Sequence, residues 1–539
     1  MTKIHLCFLF NFLSSLLILG QNFHFKATFN QKDTSLYLSS SPGDYLSPRA
    51  VARKNTQGIA IDLSDFPLTE SYLNTLAQHG AILSKSKWLN AVILGVADSS
   101  NIDQVRNLPF IREVRLIGQS NLAIARKSAD LGDSKLTRFD YGSAANGIKQ
   151  MNGDYLHEKG YRGSGLLIAV LDAGFANANS LEIFDSLRIE NRITATKNIV
   201  NDGVTVYSSD SHGTQVLSVL AANLDGKMVG SAPKASYALI LTEDVREENP
   251  IEEYYWIEGM EYADSLGADV VNSSLGYNTF DFSNFNHSQS DLYTLTVDIS
   301  TAANLAWEKG IFVFNAAGNE GKGPWEKLLF PGDADKIITV GGVDNMGIKA
   351  DFSSIGIQNG NLIKPNVAAL AVGVGTNSSN GQYPTSNGTS FACPLVCGLA
   401  TCLKQQHPTL SNDELKHLIE QSASQHSHPD ENLGHGIPNF KLASNQLSNV
   451  DHLTGNAIGS LFPNPAKKGQ DLFLTIAETA SAGLLMILNS NGQTLREIPI
   501  SPIREKTRIP IDVSNLTAGI YLMTIRTEKH FEKLQFVIQ

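Results

Sequence analysis

At 539 residues the chain has room for three to four domains of about 150 residues each, and its 42% hydrophobic and 18% charged content is that of a globular protein. The 42 Lys and Arg against 53 Asp and Glu give a formal charge of −11, so there is no electrostatic case for a nucleic-acid partner. Four cysteines are too few for a disulfide framework.

Lys3 is followed by an apolar stretch over 4–19, broken only by His5, Asn11, Ser14 and Ser15, and then by Gly20 and Gln21. Residues 1–20 read as a signal peptide, too short and too interrupted for a membrane anchor. Cys7 leaves with it, and Cys393, Cys397 and Cys402 read as packed thiols on one helix. Residues 21–58 are polar and yield no element. From there the pattern gives a strand over 59–63, a helix over 69–78 carrying Tyr72, Leu73 and Leu76, strands over 91–97 and 111–117 with a helix over 101–106 between them, and room for an extra strand over 81–87. This suits a small α+β domain over 59–120 of split-βαβ type, among other small α+β arrangements. Residues 121–144, polar and bearing Arg126, Lys127 and Lys135, make an exposed linker with a maturation site.

Between 145 and 445, apolar runs over 166–171, 237–241, 269–271, 311–314 and 337–340 alternate with helical stretches over 213–222, 251–266, 298–309 and 411–422. Unbroken apolar strands are covered on both faces, which predicts an α/β domain built on a parallel sheet. Ligands bind such sheets beyond the carboxyl ends of the strands. After a linker over 446–459, residues 460–539 give strands over 471–476, 484–488, 496–500, 508–513, 520–526 and 533–538, with Asn491-Gly492 as a hairpin signal. They read as a separate all-β sandwich.

Four segments carry chemistry. Asp172 ends the first strand of the large block. His212, in Asp210-Ser211-His212-Gly213-Thr214, opens an apolar helix. Asn315-Ala316-Ala317-Gly318-Asn319 follows a strand, and the Asn319 amide can donate to a developing oxyanion. Ser390, in Asn387-Gly388-Thr389-Ser390-Phe391-Ala392-Cys393-Pro394, sits at a helix start, where free backbone N–H groups favour negative charge. Taken singly, each has a bland structural reading. Jointly they supply the nucleophile, base, orienting carboxylate and oxyanion donors of serine-based amide hydrolysis.

Over about 150–440 these segments, in the chain order Asp, His, Ser, resemble the subtilisin-like serine proteases. The resemblance implies that Asp172 orients, His212 is base then acid, Ser390 is the nucleophile, and Asn319 serves the oxyanion hole with the Ser390 N–H. It also implies substrate contacts by Ser274, Leu275, Gly276 and Gly318, the first three forming an edge strand that pairs with an extended peptide. Two departures stand out: Ala173, where relatives carry Ser or Thr, and Gln215, where they repeat a histidine. The chemistry requires no cofactor; a structural calcium, common among relatives, is an option at Asn223-Leu224-Asp225-Gly226. Phe280, Phe282, Phe285 and Tyr293 lie in an insertion over 277–296 that reads either as a cleft rim or as a self-packed loop. Glu320 is a candidate to disfavour acidic side chains beside the scissile bond. Activity is expected to fall on acidification through the histidine range at about pH 6.5.

The 59–117 unit is similar to the inhibitory propeptides of that family. The C-terminal part, with Leu461-Phe462-Pro463-Asn464-Pro465 and Gly519-Ile520-Tyr521, resembles the sorting domains of the type IX secretion system, with an ordinary binding module as the alternative. The expectation is thus a zymogen secreted or held at the outer-membrane surface, whose partners are protein or peptide substrates, its own propeptide and the secretion machinery. An α/β-hydrolase esterase is disfavoured because Gly388-Thr389-Ser390-Phe391-Ala392 lacks the final glycine of its motif, and a zinc protease because Tyr161 stands where His157-Glu158 needs a second histidine. A catalytically silent surface protein on the same scaffold is the rival from another class.

Overall fold

The computed structural model describes residues 22–34, 37, 41–120, 140–294, 296–360, 362–445, 459–462, 466–467, 472–476, 483–489, 494–500, 507–527 and 531–538. The expected signal peptide, most of the 121–144 linker, the 446–458 stretch and the Asn491-Gly492 turn lie outside the described residues. The chain divides into two compact units, one up to Ala443 and one from Ser444.

The small N-terminal domain starts earlier than its sequence pattern suggested. Strand β1 (Asn22–Phe29) is an inner strand of an antiparallel sheet ordered β2-β3-β1-β4, and lies within the stretch expected to yield no element. Its alternation is plain in hindsight: Phe25, Ala27 and Phe29 enter the small core, while Lys26 on the other face pairs with Asp298 of the large domain at 2.6 Å. The segment is polar because its second face is an interface. Helix α1 (Pro48–Gln57) follows, with Ser47 accepting the Ala50 N–H at 3.1 Å and Gly58 closing it at φ 68°. The expected strand over 59–63 is instead a turn, in which Asp62 accepts the Ser64 N–H and Asp65 the Asp62 N–H. Helix α2 (Glu70–Leu76), β2 (Ala81–Ser86), β3 (Ala91–Val96), α3 (Ile102–Arg106) and β4 (Ile111–Ser120) complete a split-βαβ domain.

In the large domain α4 (Ala145–Gln150) and α5 (Asp154–Glu158) lead into β5 (Leu167–Asp172), α6 (Asp185–Ile189), β6 (Ile193–Asn198), α7 (His212–Ala221), the hairpin β7 (Asn223–Leu224) and β8 (Met228–Val229), and β9 (Ser236–Leu241). Then come α8 (Ile251–Leu266), β10 (Val270–Ser273), α9 (Asp298–Glu308), β11 (Phe312–Ala316), β12 (Ile338–Val343), β13 (Ile357–Asn359), β14 (Leu362–Lys364), β15 (Val367–Leu370), β16 (Val374–Gly375), β17 (Thr385–Ser386), α10 (Thr389–Gln406) and α11 (Asn412–Ser422). Seven strands form one parallel sheet, β15-β12-β11-β10-β5-β9-β6. All of β5, β10, β11, β12 and β15 is buried, as unbroken apolar runs require. Helix α10 runs through the core, with Cys393, Cys397 and Cys402 fully buried free thiols along it.

The C-terminal unit holds β18 (Gly459–Phe462), β19 (Leu472–Ile476), β20 (Gly483–Leu488), β21 (Thr494–Ile500), β22 (Thr507–Ile511), β23 (Gly519–Thr527) and β24 (Phe531–Ile538). Its two antiparallel sheets, β18-β19-β22 and β21-β20-β23-β24, enclose a core that includes Leu472, Leu474, Leu485, Ile487, Met523 and Phe536.

Candidate active site

All four chemical segments arrive at the C-terminal edge of the parallel sheet. Asp172, the last residue of β5, is fully buried; its Oδ1 accepts the Ala173 N–H at 2.8 Å and lies 2.7 Å from His212 Nδ1. The approach depends on Gly213, where an added Cβ would sit 2.4 Å from Gly174 O and 2.9 Å from Asp172 Cβ. Asp210 holds the start of α7 by accepting the His212 N–H at 2.7 Å. Asp172 Oδ2 is buried without a hydrogen-bond partner among the described residues, and the neighbouring Ala173 has no hydroxyl to supply one.

The His212 side chain stays 32% exposed, which leaves it open to substrate. Burial pushes its imidazolium down, but the charge and hydrogen bond of Asp172, helped by Asp210 and Glu243, outweigh that and raise its pKa to about 8. The expected activity loss therefore moves up from the ordinary histidine range.

Ser390 lies in the first turn of α10, where its N–H has no intrahelical acceptor. Its hydroxyl donates to Ser274 O at 3.2 Å, and Ser274 Oγ donates back to Ser390 O at 2.8 Å; no hydrogen bond joins Ser390 to His212 in this conformation. The ring of Phe391, one residue on, stands 5.7 Å from that of His212. Asn319 is exposed, and its Oδ1 accepts both the Thr389 N–H at 3.0 Å and the Thr389 hydroxyl at 3.1 Å. The amide nitrogen is thereby turned away from Thr389. Gly318, at φ 103°, donates its N–H to Thr389 Oγ1 at 3.2 Å, locking the two loops together.

Ser274, Leu275 and Gly276 follow β10. Leu275 O accepts from Asn315 Nδ2 at 3.1 Å, whereas the Gly276 N–H and C=O carry no hydrogen bond among the described residues. Gly276 and Gly318 both pack on Leu329, since a Cβ on either would come within 2.6 Å of that side chain. The absence of a side chain at these two positions lets Leu329 pack directly against both backbones. Glu320 is held from its backbone, its N–H donating to Ser354 Oγ at 3.0 Å.

Beside His212 opens a cavity of about 370 Å³, walled by Ala173 and Leu275 and, opposite, by Glu243, Glu248 and Glu252. Burial pushes Glu243 up to about 8 and Glu252 up to about 10, with neighbouring carboxylates adding to both. Glu243 also accepts the Tyr277 hydroxyl at 2.6 Å. Sequence reasoning missed these acids, although Glu243 follows β9 at the same sheet edge as the others; in an acidic run it reads as solvated loop. The 277–296 insertion packs onto the large domain: Phe280 is buried against His287, which bonds Glu253 at 2.6 Å and packs 4.6 Å from Phe330. In the Asn223–Gly226 turn the lone carboxylate, Asp225, already accepts the Asp140 N–H, and no group of three His, Cys, Asp or Glu suited to a metal occurs among the described residues.

The sequence profile of the subtilase family matches residues 163–436, that of the peptidase S8 propeptide domain of Bacteroidota residues 25–131, and that of a secretion system C-terminal sorting domain residues 460–539. Subtilisin NAT of Bacillus subtilis subsp. natto is 31% identical over 286 residues, which cover 52% of this chain and 66% of that protein. Subtilisin of Bacillus pumilus is 30% identical over 52% of this chain and 92% of its own length. Among solved structures, MycP1 with its N-terminal propeptide removed aligns at 21% identity and a TM-score of 0.44 over 56% of this chain and 96% of its own. The sorting domain marks the protein for the cell surface or the exterior, and no helix among the described residues is long and apolar enough to cross a membrane. The propeptide match begins at residue 25, in keeping with the place of β1 in that sheet. The chain belongs to the subtilase family.

Proposed function

We infer that the protein is a secreted serine endopeptidase, made as a zymogen that cuts its own chain within 121–144. The observation that carries this reading is the 2.7 Å contact between buried Asp172 and His212 at the sheet edge that also bears Ser390 and Asn319. Asp172 fixes the His212 tautomer with Nδ1–H donating, which leaves Nε2 to take the Ser390 proton once the hydroxyl turns from Ser274 O. As Oγ bonds the substrate carbonyl carbon, negative charge on the carbonyl oxygen is met by the Ser390 N–H and the Asn319 amide. His212 then gives its proton to the leaving amine as the C–N bond breaks. Water attacks the acyl-enzyme by the same route and releases the acid. The free N–H and C=O of Gly276 suit an extended substrate backbone, and Glu320 disfavours acidic side chains. The residues assigned to catalysis supply every role without a cofactor.

A catalytically silent surface protein is the second reading, motivated by the Ser390 hydroxyl being engaged by Ser274 O. Chain-end mapping of purified wild type and Ser390→Ala separates the two. The peptidase reading expects a new N-terminus within 121–144 in wild type and an intact chain in the variant; identical chain ends in both contradict it.

A further inference from the structure

The edge of the parallel sheet opposite the triad is covered by part of the N-terminal domain that lies outside its small sheet. Helices α8 and α9 end at this edge in Gly267, at φ 80°, and Gly310, at φ 88°. Helix α1 lies directly on both: a Cβ on Gly267 would meet Ala50 N at 2.5 Å, and one on Gly310 would meet Gln57 Oε1 at 2.1 Å. Helix C-termini concentrate partial negative charge, and α1 brings Arg49, Arg53 and Lys54 to them.

Each cation is specifically engaged. Arg53 pairs with fully buried Asp264 and donates to Ala268 O. Arg49 pairs with Asp269 and donates to Gly165 O at 2.9 Å and Gly267 O at 3.1 Å. Lys54, with no exposed surface, lies 3.0 Å from Asp65 and 3.6 Å from Asp264, and Lys309 of the large domain reaches Asp65 at 3.0 Å. Ser47 N–H to Ser265 O at 3.0 Å and Gln57 Nε2 to Gly310 O at 3.2 Å extend the contact. Buried charges thus interleave across the domain boundary, and removing one partner leaves another, such as Asp264 when Arg53 is truncated, buried without its counter-charge while the domains stay docked. Stranding a buried charge is far costlier than losing a surface pair.

We propose that the 41–66 segment, centred on α1, is a distal lock that holds the cleaved N-terminal domain on the enzyme from the edge remote from the cleft, so that its departure, and the onset of activity, is set by this contact. The proposal rests on the zymogen reading above for its consequence, but the lock itself is testable without catalysis. In Ser390→Ala protein, limited trypsin opens the 121–139 stretch at Arg126, Lys127 or Lys135, and size-exclusion chromatography follows loss of the N-terminal fragment. The expected result is slow loss in this background and a rate about 100-fold or more higher with Arg53→Ala added. Arg49→Ala, altering a side chain that is 42% exposed, should quicken release only severalfold and gives the comparison in a variant that leaves the buried network intact. Unchanged release in both variants, or immediate release before either substitution, overturns the lock. Absence of self-cleavage in wild type would instead contradict the function proposed above and leave this readout standing.

Discussion

The two edges of the seven-stranded sheet differ in what their polar groups face. At the N-terminal edge the cations of α1 each have a carboxylate and the ends of α8 and α9 are covered, although Arg53 Nε, Lys54 Nζ and Asp264 Oδ2 stay buried without a hydrogen-bond partner among the described residues. At the C-terminal edge polar atoms are left without partners among the described residues: Asp172 Oδ2 and both backbone groups of Gly276, while the Asn319 amide nitrogen is turned outward. An edge whose charges are paired within the chain resists separation, whereas an edge with backbone groups left free can complete itself with a substrate. The difference is one of chemistry, since both are built from the ends of the same strands.

Substitutions at the two edges should therefore fail in different ways. Ser390→Ala should remove about 10⁶ of kcat on a peptide substrate while leaving the thermal midpoint of the zymogen in place, as loss of a triad nucleophile does. Asn319→Ala should cost about 10²–10³ in kcat with little change in KM, because its donor acts on the oxyanion that exists only in the transition state. Lys54→Ala should do the reverse, lowering zymogen stability by about 3–5 kcal/mol in denaturant titrations while leaving kcat of the matured enzyme unchanged. If Lys54→Ala altered kcat of the separated enzyme, the two edges would not be independent.

The C-terminal edge also responds to protons in the working pH range. The base works only when neutral, and the His212 pKa is raised to about 8 by Asp172, so kcat/KM should rise with pH through about 8 and fall to about a hundredth of its plateau by two units below. A midpoint near the ordinary histidine value would show that Asp172 does not act on the ring as the geometry implies. The smallest effect is expected from Ala173→Ser: the added hydroxyl can serve Asp172 Oδ2, weaken the carboxylate's hold on the imidazolium and shift the midpoint down by a fraction of a unit, read from the same profile.

The C-terminal edge was legible in the sequence because its chemistry is local. The Asp172 strand end, Ser211-His212-Gly213-Thr214 and the Ser390 helix start each declare themselves within a few residues, and the buried strands show as apolar runs. What escaped was set by partners far along the chain. Strand β1 presents one face to its own core and, through Lys26, one to Asp298, 272 residues further on, so its polar half hid its alternation. The basic residues of α1 look like a solvated face until Asp264 and Asp269 are set opposite them. Glu243 and Glu252 gain meaning only from the cavity that closes around them, and the 59–63 run became a turn because Asp62 and Asp65 bond their own backbone.

The central claim is that Ser390 is a nucleophile activated by His212. Matured protein, freed of the N-terminal domain, is treated with a fluorophosphonate probe across pH 5 to 10, and adducts are mapped by peptide mass spectrometry. A single adduct on Ser390 is expected, forming at a rate that climbs through about pH 8. Folded, domain-free protein that takes up no probe, or is labelled at a rate indifferent to pH, would contradict it.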